Sequence, residues 1–171
     1  MKLFNIEASR NLTLPDMYIN IGHFLDHFMM LIFAKAAFDA GRNFGLGYDE
    51  IIIYGTLGLF LFGAAAPLAG WLADKYSRSI IIIIYPFGVS LGAFLCFLSS
   101  SPIMLGFSIG VIGFFAAIFH PVGIAMLIRD SKKVGFRLGV NGVWGNMGVA
   151  VAPVLTGFII LNSNWQLSFL V

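Results

Sequence analysis

The chain has 171 residues, of which the apolar set AVILMFWYC makes up 59% and charged residues only 11%, with ten Lys and Arg against eight Asp and Glu. That composition, with a mean hydropathy of +0.92, excludes a water-soluble domain and points to a polytopic membrane protein. A net charge of +2 dispersed through short loops offers no basic surface for nucleic acid, and the lone Cys96, inside an apolar run, permits no intrachain disulfide and reads as a small buried apolar residue.

Crossing ~30 Å of hydrocarbon at about 1.5 Å per residue takes roughly 20 apolar residues. The chain therefore has room for five spans and the start of a sixth. Lys2, Glu7, Arg10 and Asn11 precede the first apolar run and no small-residue cleavage site closes that run, so the first span is read as an uncleaved helix. Apolar runs between polar breaks predict helices over about 16–40, 48–73, 79–98, 102–128 and 138–161, with a sixth beginning at Trp165 and cut off at Val171. One incomplete amino-terminal transmembrane domain, 1–171, is expected.

Lys2 and Arg10, then Lys75 and Arg78, then Arg129, Lys132, Lys133 and Arg137 fall before helix 1 or in alternate loops, all on one side. The opposite loops hold Arg42 alone, and Lys35 lies within helix 1 where its stem can snorkel. Basic residues gather on the cytoplasmic side, so the amino terminus and the loop around Asp74 are expected there. Glycines four apart at Gly88 and Gly92, Gly106 and Gly110, and Gly135 and Gly139 are expected to let helix backbones approach closely. Pro67, Pro86, Pro121 and Pro153 lie inside spans, where each removes a backbone donor and is positioned to kink its helix.

The polar break Gly70, Trp71, Leu72, Ala73, Asp74, Lys75, Tyr76, Ser77, Arg78, Ser79 resembles the signature loop between the second and third helices of the major facilitator superfamily of secondary transporters. It departs at Ser77, where glycine is usual, and at Ser79, where a second base is common. The resemblance implies a latch in which Gly70, Asp74 and Arg78 stabilise one transport conformation. Gly148, Ala152, Pro153, Thr156 and Gly157 look like a degenerate form of the glycine and proline motif of the superfamily's antiporters, which adds Pro153 to the gating set and hints at efflux. Phe119, His120, Pro121, Val122 and Gly123, together with Asn141, Gly142, Val143, Trp144, Gly145 and Asn146, resemble the fosmidomycin-resistance-like branch of bacterial drug exporters. The superfamily's helix 4 arginine has no counterpart between Ser79 and Ile128. A complete member has two six-helix halves, so a chain ending at Val171 is expected to be a fragment of a longer protein, or a short product that needs a partner to complete it. The resemblance implies a multi-pass protein of the bacterial inner membrane.

Helix 1 carries His23, Asp26 and His27 at spacings of three and four, which places them on one face. Asp26 lies about ten residues past Asp16, about 15 Å deep, where a carboxylate costs several kcal/mol unless paired, neutralised or facing water. The three are expected to face the bundle interior and to exchange a proton near neutral pH. His120 and Asn146 each lie about eight residues, roughly 12 Å, from one end of their helices. In the resembled fold helices 1, 4 and 5 line one cavity, so Asp26 with His23 or His27 is expected to carry protons while His120, Asn141, Trp144 and Asn146 contact a small-molecule substrate. Structural readings compete: a helix-to-helix hydrogen bond for His23 or His120, an interfacial anchor for Trp144, and an ion pair between Asp26 and a histidine. Histidines four apart on a helix also suit a metal ion, but the proton reading is preferred and no resident metal or other cofactor is expected. Without a nucleophile triad or phosphate-binding glycine loop, an enzyme is not expected. The reading is proton-coupled efflux by alternating access; uptake of a small solute or metal ion is the alternative, and a transport-inactive membrane scaffold is the rival from another class.

Overall fold

The computed structural model describes residues 12–129 and 131–171. Lys2, Glu7, Arg10 and Asn11, which entered the reading of the amino terminus and its orientation, lie outside the described residues. Five helices are long and apolar enough to cross a membrane: α1 Leu14–Phe44, α2 Tyr48–Lys75, α3 Arg78–Phe97, α4 Pro102–Ile128 and α5 Val134–Asn162. A short 3-10 turn, Gln166–Leu170, follows in place of the α-helical start expected at Trp165. The protein is an all-α, multi-pass membrane protein.

Local chemistry explains where the helix ends depart from the apolar runs. α1 begins at Leu14 because Thr13 and Asp16 form a capping box: the Thr13 N–H donates to Asp16 Oδ2 at 2.8 Å, and the Asp16 N–H donates to Thr13 Oγ1 at 3.4 Å. It outlasts Ala40 and stops at Gly45, whose φ of 71° is the left-handed conformation glycine adopts without a Cβ penalty. α5 starts earlier than the expected 138 because Arg137 is part of its first turn. Its guanidinium donates to the Leu127 carbonyl at 3.1 Å and pairs with Asp16 Oδ1 at 3.2 Å, tying together α1, α4 and α5.

α1 packs most extensively on α5, and α4 packs on α3 and on α2. A Cβ on Gly148 would collide with the Phe24 carbonyl of α1, and a Cβ on Gly113 would collide with the Gly58 backbone of α2. Gly88 and Gly92 receive Phe115 and Ile112 of α4, while Gly106 and Gly110 receive Tyr54 and Leu57 of α2. Those two glycine pairs pack as their spacing predicts. Gly135 and Gly139 do not: nothing lies within 4 Å of a Cβ built on either, so that pair makes no close crossing among the described residues. Spacing alone cannot say whether a small face meets a neighbour.

The prolines act unequally. Pro67 enters the second position after a break at Ala65 in α2, and Pro121 sits in a π-helical turn, Phe119–Gly123, within α4. Pro86 and Pro153 are carried inside continuous helices. Outward faces hold large apolar side chains such as Ile83, Phe87 and Leu91 of α3, the surface a bilayer covers. After α5, Trp165 is buried, donates its indole N–H to Asn43 Oδ1 at 3.4 Å, and rests edge-on against Phe44.

Candidate functional site: a histidine and aspartate cluster between α1, α4 and α5

His23, Asp26 and His27 share one face of α1, as their spacing requires, and that face meets α4 and α5. Asp26 is fully buried, and its partner is His120 of α4, with Nε2 at 3.4 Å from Oδ2, not a histidine of its own helix. The contact is a long one, and neither Asp26 oxygen has a hydrogen bond among the described residues. A bare carboxylate buried this way is costly, so the position demands a proton or a cation close by.

The histidines are oriented by their neighbours. His23 Nδ1 lies 2.9 Å from the backbone carbonyl of Asn141, which can only accept, so Nδ1 carries the proton and Nε2 the lone pair. His27 Nε2 lies 3.0 Å from His23 Nε2, and with the His23 ring neutral it is the donor to that lone pair. The ring of His120 stands edge-on to both, with centroids 5.2 Å from His23 and 5.5 Å from His27. One nitrogen of each of the three rings falls within 4.8 Å of the others.

His120 reaches this position because α4 is locally irregular. Pro121 has no N–H to give the helix and its ring crowds the carbonyl four residues back; the chain responds with a widened turn at Phe119–Gly123 that aims His120 at α1. Widened turns of this kind recur at functional sites. Aromatic rings wall the cluster: Phe119 stacks on His23 at 5.1 Å and Phe62 of α2 stands edge-on to His120 at 5.6 Å. Gly145 of α5 leaves room for the His23 ring, which a Cβ there would meet at 2.7 Å.

The remaining expected residues divide. Asn141 is buried, and its side-chain amide donates to Asn20 Oδ1 at 2.9 Å while its backbone holds His23. Asn146 is exposed and donates to the Gly142 carbonyl of its own helix at 2.8 Å, so it stays apart from the cluster. Trp144 is half-buried. Asp74 and Arg78 pair with each other across the turn between α2 and α3 at 2.9 Å, with side chains 68% and 37% exposed. Gly70 lies against Pro121, at 3.5 Å from a Cβ built on it, and Pro153 is exposed on α5. Sequence reasoning passed over Asn20, although it stands three residues before His23 on the same face. Tyr85, whose hydroxyl donates to the Gly22 carbonyl at 3.0 Å, and Phe62 were also passed over, because only the tertiary fold brings α2 and α3 to α1.

The sequence profile of the Major Facilitator Superfamily matches residues 19–171. The chain is 27% identical over 129 residues to a protein of Mycobacterium tuberculosis named multidrug resistance protein B homolog, covering 73% of this chain and 24% of that protein. It is 27% identical over 146 residues to the uncharacterized MFS-type transporter YfnC of Bacillus subtilis, covering 84% of this chain and 35% of that one. To YhcA, another uncharacterized MFS-type transporter of that organism, it is 25% identical over 131 residues. The matches thus span about a quarter to a third of the length of these curated relatives, at 24% and 35%.

Proposed function

Since the chain belongs to the Major Facilitator Superfamily, a family of transport proteins and not of enzymes, we propose that it forms the amino-terminal part of a proton-coupled exporter of a small molecule. The observation that carries this reading is the buried Asp26 beside His120, adjoining the His23 and His27 pair. A carboxylate inside a span, facing imidazoles from its own and a neighbouring helix, suits proton carriage, because each protonation state of one group changes the cost of burying the other. His120 joins the proton relay to the substrate path, which Asn141, Trp144 and Asn146 of α5 extend. Efflux is supported by the name of the Mycobacterium relative and by the Gly148 to Gly157 pattern around Pro153. The finer likeness to fosmidomycin-resistance-like exporters rests on the residues around His120 and Asn141.

In this reading Gly70, Asp74, Arg78 and Pro153 gate alternating access, the amino terminus is cytoplasmic and the membrane is a bacterial inner membrane. The remaining helices of the transporter, in the same polypeptide or a partner, close the substrate path. Reconstituting the complete protein in vesicles tests it: an imposed proton gradient drives substrate flux in the wild type, and Asp26→Asn abolishes it. Undiminished flux in Asp26→Asn removes the proton role, and a membrane protein without flux of any kind turns the reading to a scaffold.

A further inference from the structure

We infer that His23, His27 and His120 together bind one divalent transition-metal ion of the zinc class. This goes beyond proton-coupled transport and does not rest on it.

Three observations meet at the cluster. The first is distance: one nitrogen from each ring lies within 4.8 Å of the others, and the two Nε2 atoms of His23 and His27 are 3.0 Å apart. Nitrogens that each lie about 2.0–2.1 Å from a tetrahedral zinc are separated by about 3.3 Å. The α1 pair must therefore open slightly and the His120 ring must close in.

The second is orientation. Histidines that ligate metals hold their other nitrogen on a backbone carbonyl or a carboxylate. His23 does so through Nδ1 on the Asn141 carbonyl, which leaves Nε2 for an ion. His120 turns Nε2 toward Asp26 Oδ2, 3.4 Å away and short of a hydrogen bond at this separation, a contact that an ion drawing on Nδ1 would tighten. His27 supplies Nε2 once its proton moves to Nδ1, since that nitrogen already faces His23.

The third is charge. Asp26 is wholly buried with neither oxygen hydrogen-bonded among the described residues, and a dication beyond the His120 ring offsets that burial. Imidazole donors select zinc, copper, nickel or cobalt over magnesium and calcium, which prefer oxygen. The surrounding Phe62 and Phe119 rings restrict water around such an ion.

The test uses the full-length protein in detergent, stripped with a chelator and titrated with Co²⁺, read by visible ligand-field absorption and by metal content. The expected result is saturable uptake of a single Co²⁺ per chain, displaced by Zn²⁺ and untouched by excess Mg²⁺. His27→Gln and His120→Asn each remove the saturable component, and Asp26→Asn weakens it by about 10–100-fold as loss of an outer-shell partner does. No saturable uptake by monodisperse wild type, or unchanged uptake by the variant lacking all three histidines, overturns the site. Should a variant not fold, wild-type protein decides: Zn²⁺ must shield these three rings from diethyl pyrocarbonate, and equal modification with and without Zn²⁺ overturns the site as well. Substrate flux measured in metal-free buffer is a separate readout. Flux without Co²⁺ uptake sinks the metal site alone, and uptake without flux sinks the transport reading alone.

Discussion

Two seams hold this bundle together by different means. α3 meets α4 by setting the apolar side chains of Phe115 and Ile112 into the notches left by Gly88 and Gly92. α1 meets α5 over Gly145 and Gly148 as well, but the same seam carries the Asn20 to Asn141 amide bond, the His23 to Asn141 bond and the Asp16 to Arg137 ion pair. Lipid supplies no hydrophobic drive for helix association, so both seams depend on close packing, and a hydrogen bond between spans adds only about 0.6 kcal/mol on average. The α1 to α5 seam therefore carries more polar chemistry than cohesion requires. Its polar groups fix rotational register and position the histidines, which the α3 to α4 seam has no need to do.

The largest expected effect is at the end of the polar seam. Arg137→Ala leaves Asp16 buried without its partner and is expected to cost about 3–5 kcal/mol, measured by denaturant unfolding in detergent, with Asp16→Asn in the same protein restoring part of it. No loss in the single variant would show that this pair does not bind α1 to α5. Asn141→Ala comes next: it strips the amide from Asn20 Oδ1, at about 1–3 kcal/mol, while the backbone carbonyl still holds His23. Asn20→Ala with Asn141→Ala should cost less than the sum of the two, and a strictly additive pair would mean the amides do not meet.

In the apolar seam, Gly88→Ala pushes on the Phe115 ring and is expected to cost about 1–3 kcal/mol without altering the proton dependence that the proposed function expects of flux. A change in that dependence would erase the distinction between the seams. Smallest is Gly139→Ala, with open space around the new methyl group. It should be neutral or gain about 1 kcal/mol from helix propensity, seen as an unchanged or raised unfolding midpoint; a marked loss would reveal a neighbour on that face.

Much of this was readable from the chain because apolar length is a one-dimensional property. α4 begins at Pro102 and ends at Ile128 as its apolar run does, since Ser101 caps one end and Arg129 interrupts the other. The clustering of His23, Asp26 and His27 on one face also follows from helical spacing. What spacing could not give is the partner across a seam: Asp26 faces His120, Arg137 reaches Asp16, and the Gly135 and Gly139 pair faces open space. Arg137 was hidden further because a base near a helix start reads as loop, and only a buried acid on another helix makes its place inside the first turn favourable. Depth likewise gave no direction for Asn146, which stands level with His120 but is exposed on α5 and donates to the Gly142 carbonyl of its own helix.

The widened turn at Phe119–Gly123 also changes how α4 should be aligned with its relatives. It holds one residue more than an ordinary turn, so everything after Gly123 is out of phase, by about 100°, with a count carried through from Pro102. A relative whose fourth helix is an unbroken α-helix shares the faces of both halves only if its sequence is one residue shorter there. The matching gap then falls in the middle of a span, where an aligner that confines insertions to loops will never put it.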